Sequence, residues 1–216
     1  MKINCLQTGL LQTNCYCITR TDNSDGTVHG AVIDPGDEIR VILSALQAHR
    51  CTLDYIILTH AHFDHLLALS DLHEAYPEAK ICIGENEPYD VETVVSVAKR
   101  GLGPYFRQTK AAQSGFSLPQ TDILLKDNSS IFGFKVLWTP GHTRGSICLY
   151  DEKEKILFSG DTMFCGSYGR TDLGGNPADM RSSLSRLLSL PSDTLVLSGH
   201  GETTTIGEEK AGYGYF

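Results

Sequence analysis

Short apolar runs broken by polar turns set the character of the chain. Residues 3–8 and 14–19 alternate only weakly but predict two strands, joined by a polar turn around Gln12-Thr13-Asn14. Thr21-Asp22-Asn23-Ser24-Asp25-Gly26 has the composition of a loop. Ala31-Val32-Ile33 predicts a third strand, closed by Asp34-Pro35-Gly36. Ile39, Ile42, Leu43 and Leu46 share one face of a helix over 38–49. Tyr55-Ile56-Ile57-Leu58 is short, apolar and partly β-branched, which predicts a buried strand. Leu66, Leu67, Leu69, Leu72 and Ala75 then have helical spacing, predicting a helix over 65–75. Ile81-Cys82-Ile83 predicts another strand.

Residues 86–121 break this rhythm. Val91, Val94, Val95 and Ala98 permit a helix, but Gly101-Leu102-Gly103-Pro104 and a Gln-, Ser-, Gly- and Pro-rich stretch follow. A long polar segment of this kind reads as a lid or as an insertion. The second half then rebuilds the first. Gly133 to Trp138 alternates as a strand, and the charged turn 151–155 joins Ile147-Tyr150 to Ile156-Phe158 as a hairpin. Pro177 opens a helix running to about Leu190, and Leu195-Val196-Leu197 is the last clear strand. Grouped strands separated by helices, in two similar halves, predict an α/β (α+β) chain with two mixed sheets face to face and helices outside. No linker or composition break appears, so 1–216 is expected to be one domain.

Composition narrows the function classes. A hydrophobic content of 41% supplies a normal globular core, and no apolar run is long enough for a membrane span. The start, Met1-Lys2-Ile3-Asn4-Cys5, lacks the apolar core of a secretory signal. Seven cysteines, none in C-x-x-C spacing, argue against a disulfide framework and for reduced thiols in a cytoplasm. The net charge of −8 and the absence of a dense Lys/Arg block argue against a nucleic-acid partner.

The chemistry concentrates in Thr59-His60-Ala61-His62-Phe63-Asp64-His65. Three histidines and a carboxylate within six positions, on a strand-to-helix turn, are poorly explained by packing, because ionisable groups rarely bury without partners. His60 and His62 can face one point while Asp64 and His65, opening the helix, face another, which suits two adjacent metals. Three further strands end in a ligand directly after a glycine: Gly141-His142, Gly160-Asp161 and Gly199-His200. Together these positions supply seven ligands. His29, His49 and His73 read as surface or helix-terminus residues. Asp34, at a strand end before Pro-Gly, either starts a turn or orients a ligating histidine.

The order HxHxDH, Pro-Gly-His, Gly-Asp, Gly-His-Gly resembles hydrolases of the metallo-β-lactamase fold, an αββα sandwich with metals at one rim. Thr13-Asn14-Cys15-Tyr16, Asp34-Pro35-Gly36, Thr139-Pro140-Gly141-His142-Thr143 and Gly160-Asp161-Thr162 are similar to the glyoxalase II (hydroxyacylglutathione hydrolase) group. The resemblance implies one metal held by His60, His62 and His142, a second held by Asp64, His65 and His200, and Asp161 bridging them. Two divalent ions are implied, zinc first, with iron or manganese compatible. It further implies that a hydroxide shared by the metals attacks a small-molecule thioester, with Asp64 and Asp161 orienting the nucleophile or passing its proton. Full-length glyoxalase II enzymes carry a C-terminal helical domain that helps hold glutathione, and the sequence resembles the short branch without it. Tyr168-Gly169-Arg170-Thr171-Asp172 puts an arginine where classical members have a glutathione-contacting lysine. Arg170 either binds a substrate carboxylate or pairs with Asp172. Related persulfide dioxygenases share Gly-Arg-Thr-Asp and are the alternative, along with lactonases and nucleases of the same fold.

Overall fold

The computed structural model describes residues 1–22 and 24–212. Asn23, inside the loop expected over Thr21–Gly26, lies outside the described residues. The chain divides into two compact units, Met1–Ile83 with Tyr89–Leu124, and Gly84–Pro88 with Leu125 onward. Each is built around a mixed sheet of six strands, in agreement with the expected fold class.

The first sheet runs in sequence order, from β1 (Lys2–Thr8) and β2 (Thr13–Thr21) through β3 (Val28–Ile33), β4 (Thr52–Ile57) and β5 (Lys80–Gly84) to β6 (Ile123–Leu125). β1–β2–β3 is an antiparallel meander, whereas β3–β4–β5 is parallel and needs crossover helices. α1 (Ile39–His49) makes the first crossover and buries Ile42 and Leu46. The second crossover holds the ligand-rich turn and α2 (Leu69–Ala75). Cys15, Cys17, Val32, Ile56, Leu58, Leu69, Leu72 and Ile81 belong to one core. A buried aliphatic side chain is stabilising by about 1.5–3 kcal/mol, so this core fixes the strand ends that carry the ligands.

One sequence expectation changes here. The helix expected over 65–75 begins only at Leu69, and Phe63–His65 forms a separate 3-10 turn. The Ala68 N–H is drawn to the carbonyls of Pro35 (3.0 Å) and Gly36 (3.1 Å), so residues 66–68 do not join one continuous helix. Asp64 makes no helix cap; its carboxylate is engaged by the Thr13 hydroxyl instead. In the segment 86–121 the helix permitted by the sequence is present. α3 (Val91–Leu102) is capped by Asp90, which accepts from Thr93 N at 2.8 Å, and 3-10 turns span Gly103–Gln108 and Lys110–Ala112. Val94, Ala98 and Ala111 are buried in the first unit's core, so much of this polar-looking stretch is packed structure.

The second sheet runs β7 (Ser130–Ile131), β8 (Phe134–Trp138), β9 (Ile147–Asp151), β10 (Ile156–Gly160), β11 (Leu195–Ser198) and β12 (Thr204–Thr205). β9 and β10 form the expected antiparallel hairpin, whose turn is held by Asp151 Oδ1 accepting from Lys153 N and Glu154 N. β10 and β11 are parallel, joined through α4 (Pro177–Leu187). Asn176 caps α4 by accepting from Ala178 N and Asp179 N, and Pro177 sits where no amide donor is needed. Met180, Leu184 and Leu187 of α4 pack with Leu137, Cys148, Leu157 and Val196. α5 (Ile206–Gly212) follows β12. Among the described residues, no helix is long and apolar enough to cross a membrane.

Candidate metal centre

Each unit gathers its own share of the expected ligands at strand ends. In the first unit, Asp34 at the end of β3 organises the histidines after β4. It is 1% exposed and has φ of 52°, a conformation an Asp side chain tolerates better than most. Its Oδ1 accepts from Thr59 N at 2.7 Å, and its Oδ2 accepts from Thr59 Oγ1 at 2.7 Å and from His65 Nδ1 at 2.9 Å. The Thr59 hydroxyl donates its proton to Asp34, so its oxygen accepts from His60 Nδ1, 3.0 Å away. The tautomers follow from this network: His60 and His65 both carry their proton on Nδ1 and present the Nε2 lone pair. Of the two sequence readings of Asp34, the hydrogen bonds match the one in which it orients a histidine: it holds His65 directly and His60 through Thr59.

The imidazoles of His60, His62 and His65 cluster, with the His60 centroid 4.7 Å from that of His62 and 4.2 Å from that of His65. All three are buried. Asp64 Oδ2 lies 3.5 Å from His65 Nε2 and accepts from Thr13 Oγ1 at 2.9 Å. Thr13 opens β2, so the motif beginning there supports Asp64 from a neighbouring strand.

In the second unit Asp161 is the centre. His142 Nε2 lies 3.4 Å from Asp161 Oδ2, and His200 Nε2 lies 3.7 Å from the same oxygen. His142 Nδ1 donates to the Arg170 carbonyl at 2.7 Å, which again leaves Nε2 with the lone pair. Phe164 packs edge-on to His200, with ring centroids 6.0 Å apart. Gly141 and Gly160 do adopt positive φ before their ligands, while Gly199 is not among the positive-φ residues. A bulge between Phe158 and Gly160 breaks the β10–β11 register just before Asp161. Gly169 permits the loop to close: its N–H donates to the Asp161 carbonyl, and a Cβ there would collide with that carbonyl and lie 2.8 Å from His142 Nδ1.

The guanidinium of Arg170 pairs with Asp172 through two contacts of 2.6 Å, and both side chains are exposed. Glu87 is a contributor that sequence reasoning missed. Its Oε2 accepts from Thr143 Oγ1 at 2.6 Å and Gly145 N at 3.1 Å, holding the loop that presents His142. No local pattern marks it, because its partners lie 56 and 58 residues away. Of the histidines outside the ligand set, His29 pairs with Asp54 at 2.9 Å, and His49 and His73 lie in the last turns of α1 and α2.

In each unit the imidazoles and carboxylate are donors that fit divalent metals of intermediate hardness such as zinc, iron or manganese. Buried thiols offer no rival nucleophile, since burial pushes Cys148 up to about 11 and Cys82 up to about 12.

The sequence model of the metallo-beta-lactamase superfamily matches residues 8–200. An uncharacterized protein of Aquifex aeolicus is 34% identical over 213 residues, covering 98% of this chain and 95% of its own. The hydroxyacylglutathione hydrolase GloC of Haemophilus influenzae is 30% identical over 222 aligned residues, covering 97% of this chain and 95% of its own. The crystal structure of TTHA1623 in a di-iron-bound form aligns with a TM-score of 0.78 at 35% identity, covering 95% of this chain and 96% of that one. With a match over nearly its whole length, the chain belongs to the metallo-beta-lactamase superfamily.

Proposed function

We propose that this chain is a metal-dependent hydrolase that cleaves small-molecule thioesters in the manner of hydroxyacylglutathione hydrolases. The observation that carries the reading is the directed set of imidazoles. His60, His65 and His142 each spend Nδ1 on an oxygen acceptor and keep Nε2 for a metal, which is how ligating histidines are held. In this reading His60, His62 and His142 would hold one divalent ion, Asp64, His65 and His200 would hold the other, and Asp161 would serve both. Ions held there would supply a water of lowered pKa and polarise an acyl carbonyl.

The chain's own groups do the rest. Asp64, oriented by the Thr13 hydroxyl, and Asp161, facing two imidazoles, accept or relay the proton of the attacking water. A thiolate leaving group needs little protonation, which suits a set of residues whose histidines are all committed as ligands. Arg170 holds a carboxylate of the thiol carrier by exchanging its exposed partner Asp172 for substrate. The likeness to GloC supports the thioester class, and the di-iron form of TTHA1623 supports a two-metal centre without choosing the metal here.

Metal analysis combined with a thioester panel tests this. Two equivalents of metal per chain and hydrolysis of S-acyl thiols are expected. Saturation at one equivalent removes the two-metal centre. Failure of fully loaded protein to turn over any thioester removes the assignment, and oxygen-dependent sulfur oxidation is then the activity to assay.

A further inference from the structure

A cavity of about 260 Å³ opens in the first unit beside Asp64. One wall is the tip of the β1–β2 hairpin, where Leu10 and Leu11 are 57% and 42% exposed. Exposed leucines are unremarkable singly, but these two are held in place. The Gly9 N–H donates to Glu38 Oε2 at 3.1 Å, Gln12 N donates to Gly9 O at 3.2 Å, and Asp37 N donates to Thr8 Oγ1 at 3.2 Å. The hairpin tip is thus fastened to the Asp37–Glu38 turn, and the leucines stand on a fixed rim. Phe63 and Leu67 add apolar surface, and Thr109, from the helical segment after α3, completes the wall.

The charge of this cavity is one-sided. Asp37 and Glu38 line it with no lysine or arginine among the described residues, and Asp64, the remaining carboxylate, is counted with the proposed metal ligands rather than as a free charge. Lys110 approaches from outside, 3.3 Å from Asp37 Oδ1, but divides its charge with Asp71 at 2.9 Å. Apolar walls beneath two outer carboxylates accept an aliphatic group with a neutral or cationic end. They oppose one ending in an anion, which would meet like charges while losing water.

We propose that this cavity is a substrate subsite for a short aliphatic group with an uncharged or cationic end, and that it rejects groups ending in an anion. Calling that group the acyl part of a thioester rests on the function proposed above; the binding preference does not. Two probes of equal length separate the cases: n-butylammonium and butane-1-sulfonate, the latter a weak metal ligand. Each is titrated into metal-loaded protein while the Leu10 and Leu11 methyl and Thr109 amide resonances are followed by NMR. Butylammonium should shift these signals, with the sulfonate needing at least about tenfold higher concentration, a gap well below the full interaction of two unit charges about 4 Å apart at effective dielectric near 20 because solvent screens the exposed carboxylates. The double variant Asp37→Asn/Glu38→Gln removes both outer charges, and the amide oxygen it introduces at the second position still accepts from Gly9. It should narrow that gap to below about threefold. Equal binding of both probes to the native protein, an undiminished gap in the variant, or no shift with either probe overturns the proposal. A parallel comparison of butanoyl and succinyl thioesters on one carrier thiol should favour butanoyl. If neither is hydrolysed the thioesterase reading falls, while the NMR titration still decides the cavity.

Discussion

The Thr143 hydroxyl donates to Glu87 Oε2 at 2.6 Å, and the residue before Thr143 is His142. The same carboxylate oxygen takes the Gly145 N–H, while Ser146 Oγ accepts from Thr143 N at 3.1 Å. Arg144 Nε reaches the Asn86 carbonyl at 3.0 Å, and a Cβ on Gly145 would collide with Glu87 N. The short segment Gly84–Pro88 is therefore fastened along the loop that presents His142, and belongs to the second unit although the chain on either side of it belongs to the first.

Glu87→Ala should accordingly loosen His142 without touching it. A hydrogen bond to a charged group contributes about 1.5–3 kcal/mol, and buried donors left without an acceptor cost more than the bond itself contributes. Loss of a residue that orients ligands typically weakens metal binding about 10–100-fold. Glu87→Gln, which keeps an acceptor oxygen, should recover most of both losses. Thermal denaturation of metal-free protein and chelator competition measure the two separately. Unchanged metal affinity in Glu87→Ala would show that the loop holds its shape unaided.

Asp34 collects three donors in the first unit: Thr59 N, Thr59 Oγ1 and His65 Nδ1. Asp34→Ala should strand these buried groups, at about 1–3 kcal/mol for each donor not reached by water, and release the His60 tautomer that depends on Thr59. Asp34→Asn tolerates the same backbone conformation but brings an amide that accepts through one oxygen only. We expect Asn to fold nearly as well as Asp and to bind metal about tenfold or more weakly, whereas Ala suffers in both. Urea unfolding of metal-free protein and equilibrium metal titration check this. Wild-type metal affinity in both variants would return Asp34 to the status of a turn residue.

What the sequence made legible follows from how local each signal is. The candidate ligands are visible because each sits at the end of an apolar run or in one dense turn, so a window of a few residues contains both the strand and its chemistry. Asp34 was half-visible: its place before Pro-Gly marks a turn, and only the hydrogen bonds to Thr59 and His65 distinguish orientation from turn formation. Glu87 was invisible because its partners are far along the chain. The late start of α2 was missed because the carbonyls of Pro35 and Gly36, outside the helical pattern, capture the Ala68 amide. β7 and β12, two residues each, are too short to show any period. In 86–121 Val94 and Ala98 already permitted α3, whereas the 3-10 turns over Gly103–Gln108 and Lys110–Ala112 are too short and mixed in composition to show a period.

Asp161 and His200 should part company when each is removed. Asp161 Oδ2 lies near both His142 Nε2 and His200 Nε2, so Asp161→Ala removes the oxygen that two imidazoles share. His200→Ala removes one ligand. We expect His200→Ala to retain close to one tight equivalent of metal and Asp161→Ala to weaken both. Equilibrium dialysis followed by elemental analysis gives the answer. Equal stoichiometry and affinity in the two variants would deny Asp161 its bridging role.

Arg170 contributes through two different parts, and this makes its role separable. Its carbonyl accepts from His142 Nδ1, a contact that survives any side-chain change. Its guanidinium holds Asp172, and both partners are more than half exposed. An exposed ion pair contributes about 0–1 kcal/mol, so a substrate carboxylate can displace Asp172 at small cost. Arg170→Ala should therefore leave folding and metal content near wild type. For thioesters of a carboxylated thiol it should raise KM about 10–100-fold, the equivalent of one charged hydrogen-bonding partner, with kcat little changed. Thioesters of an uncharged thiol should be spared. Asp172→Ala frees the guanidinium from its competitor and should lower KM for the carboxylated carrier by a few-fold. Steady-state kinetics on matched pairs of thiols decides the matter. If Arg170→Ala harms both substrate types alike and Asp172→Ala does the same, the pair is a scaffold for the loop behind His142, and substrate recognition must be sought on other residues.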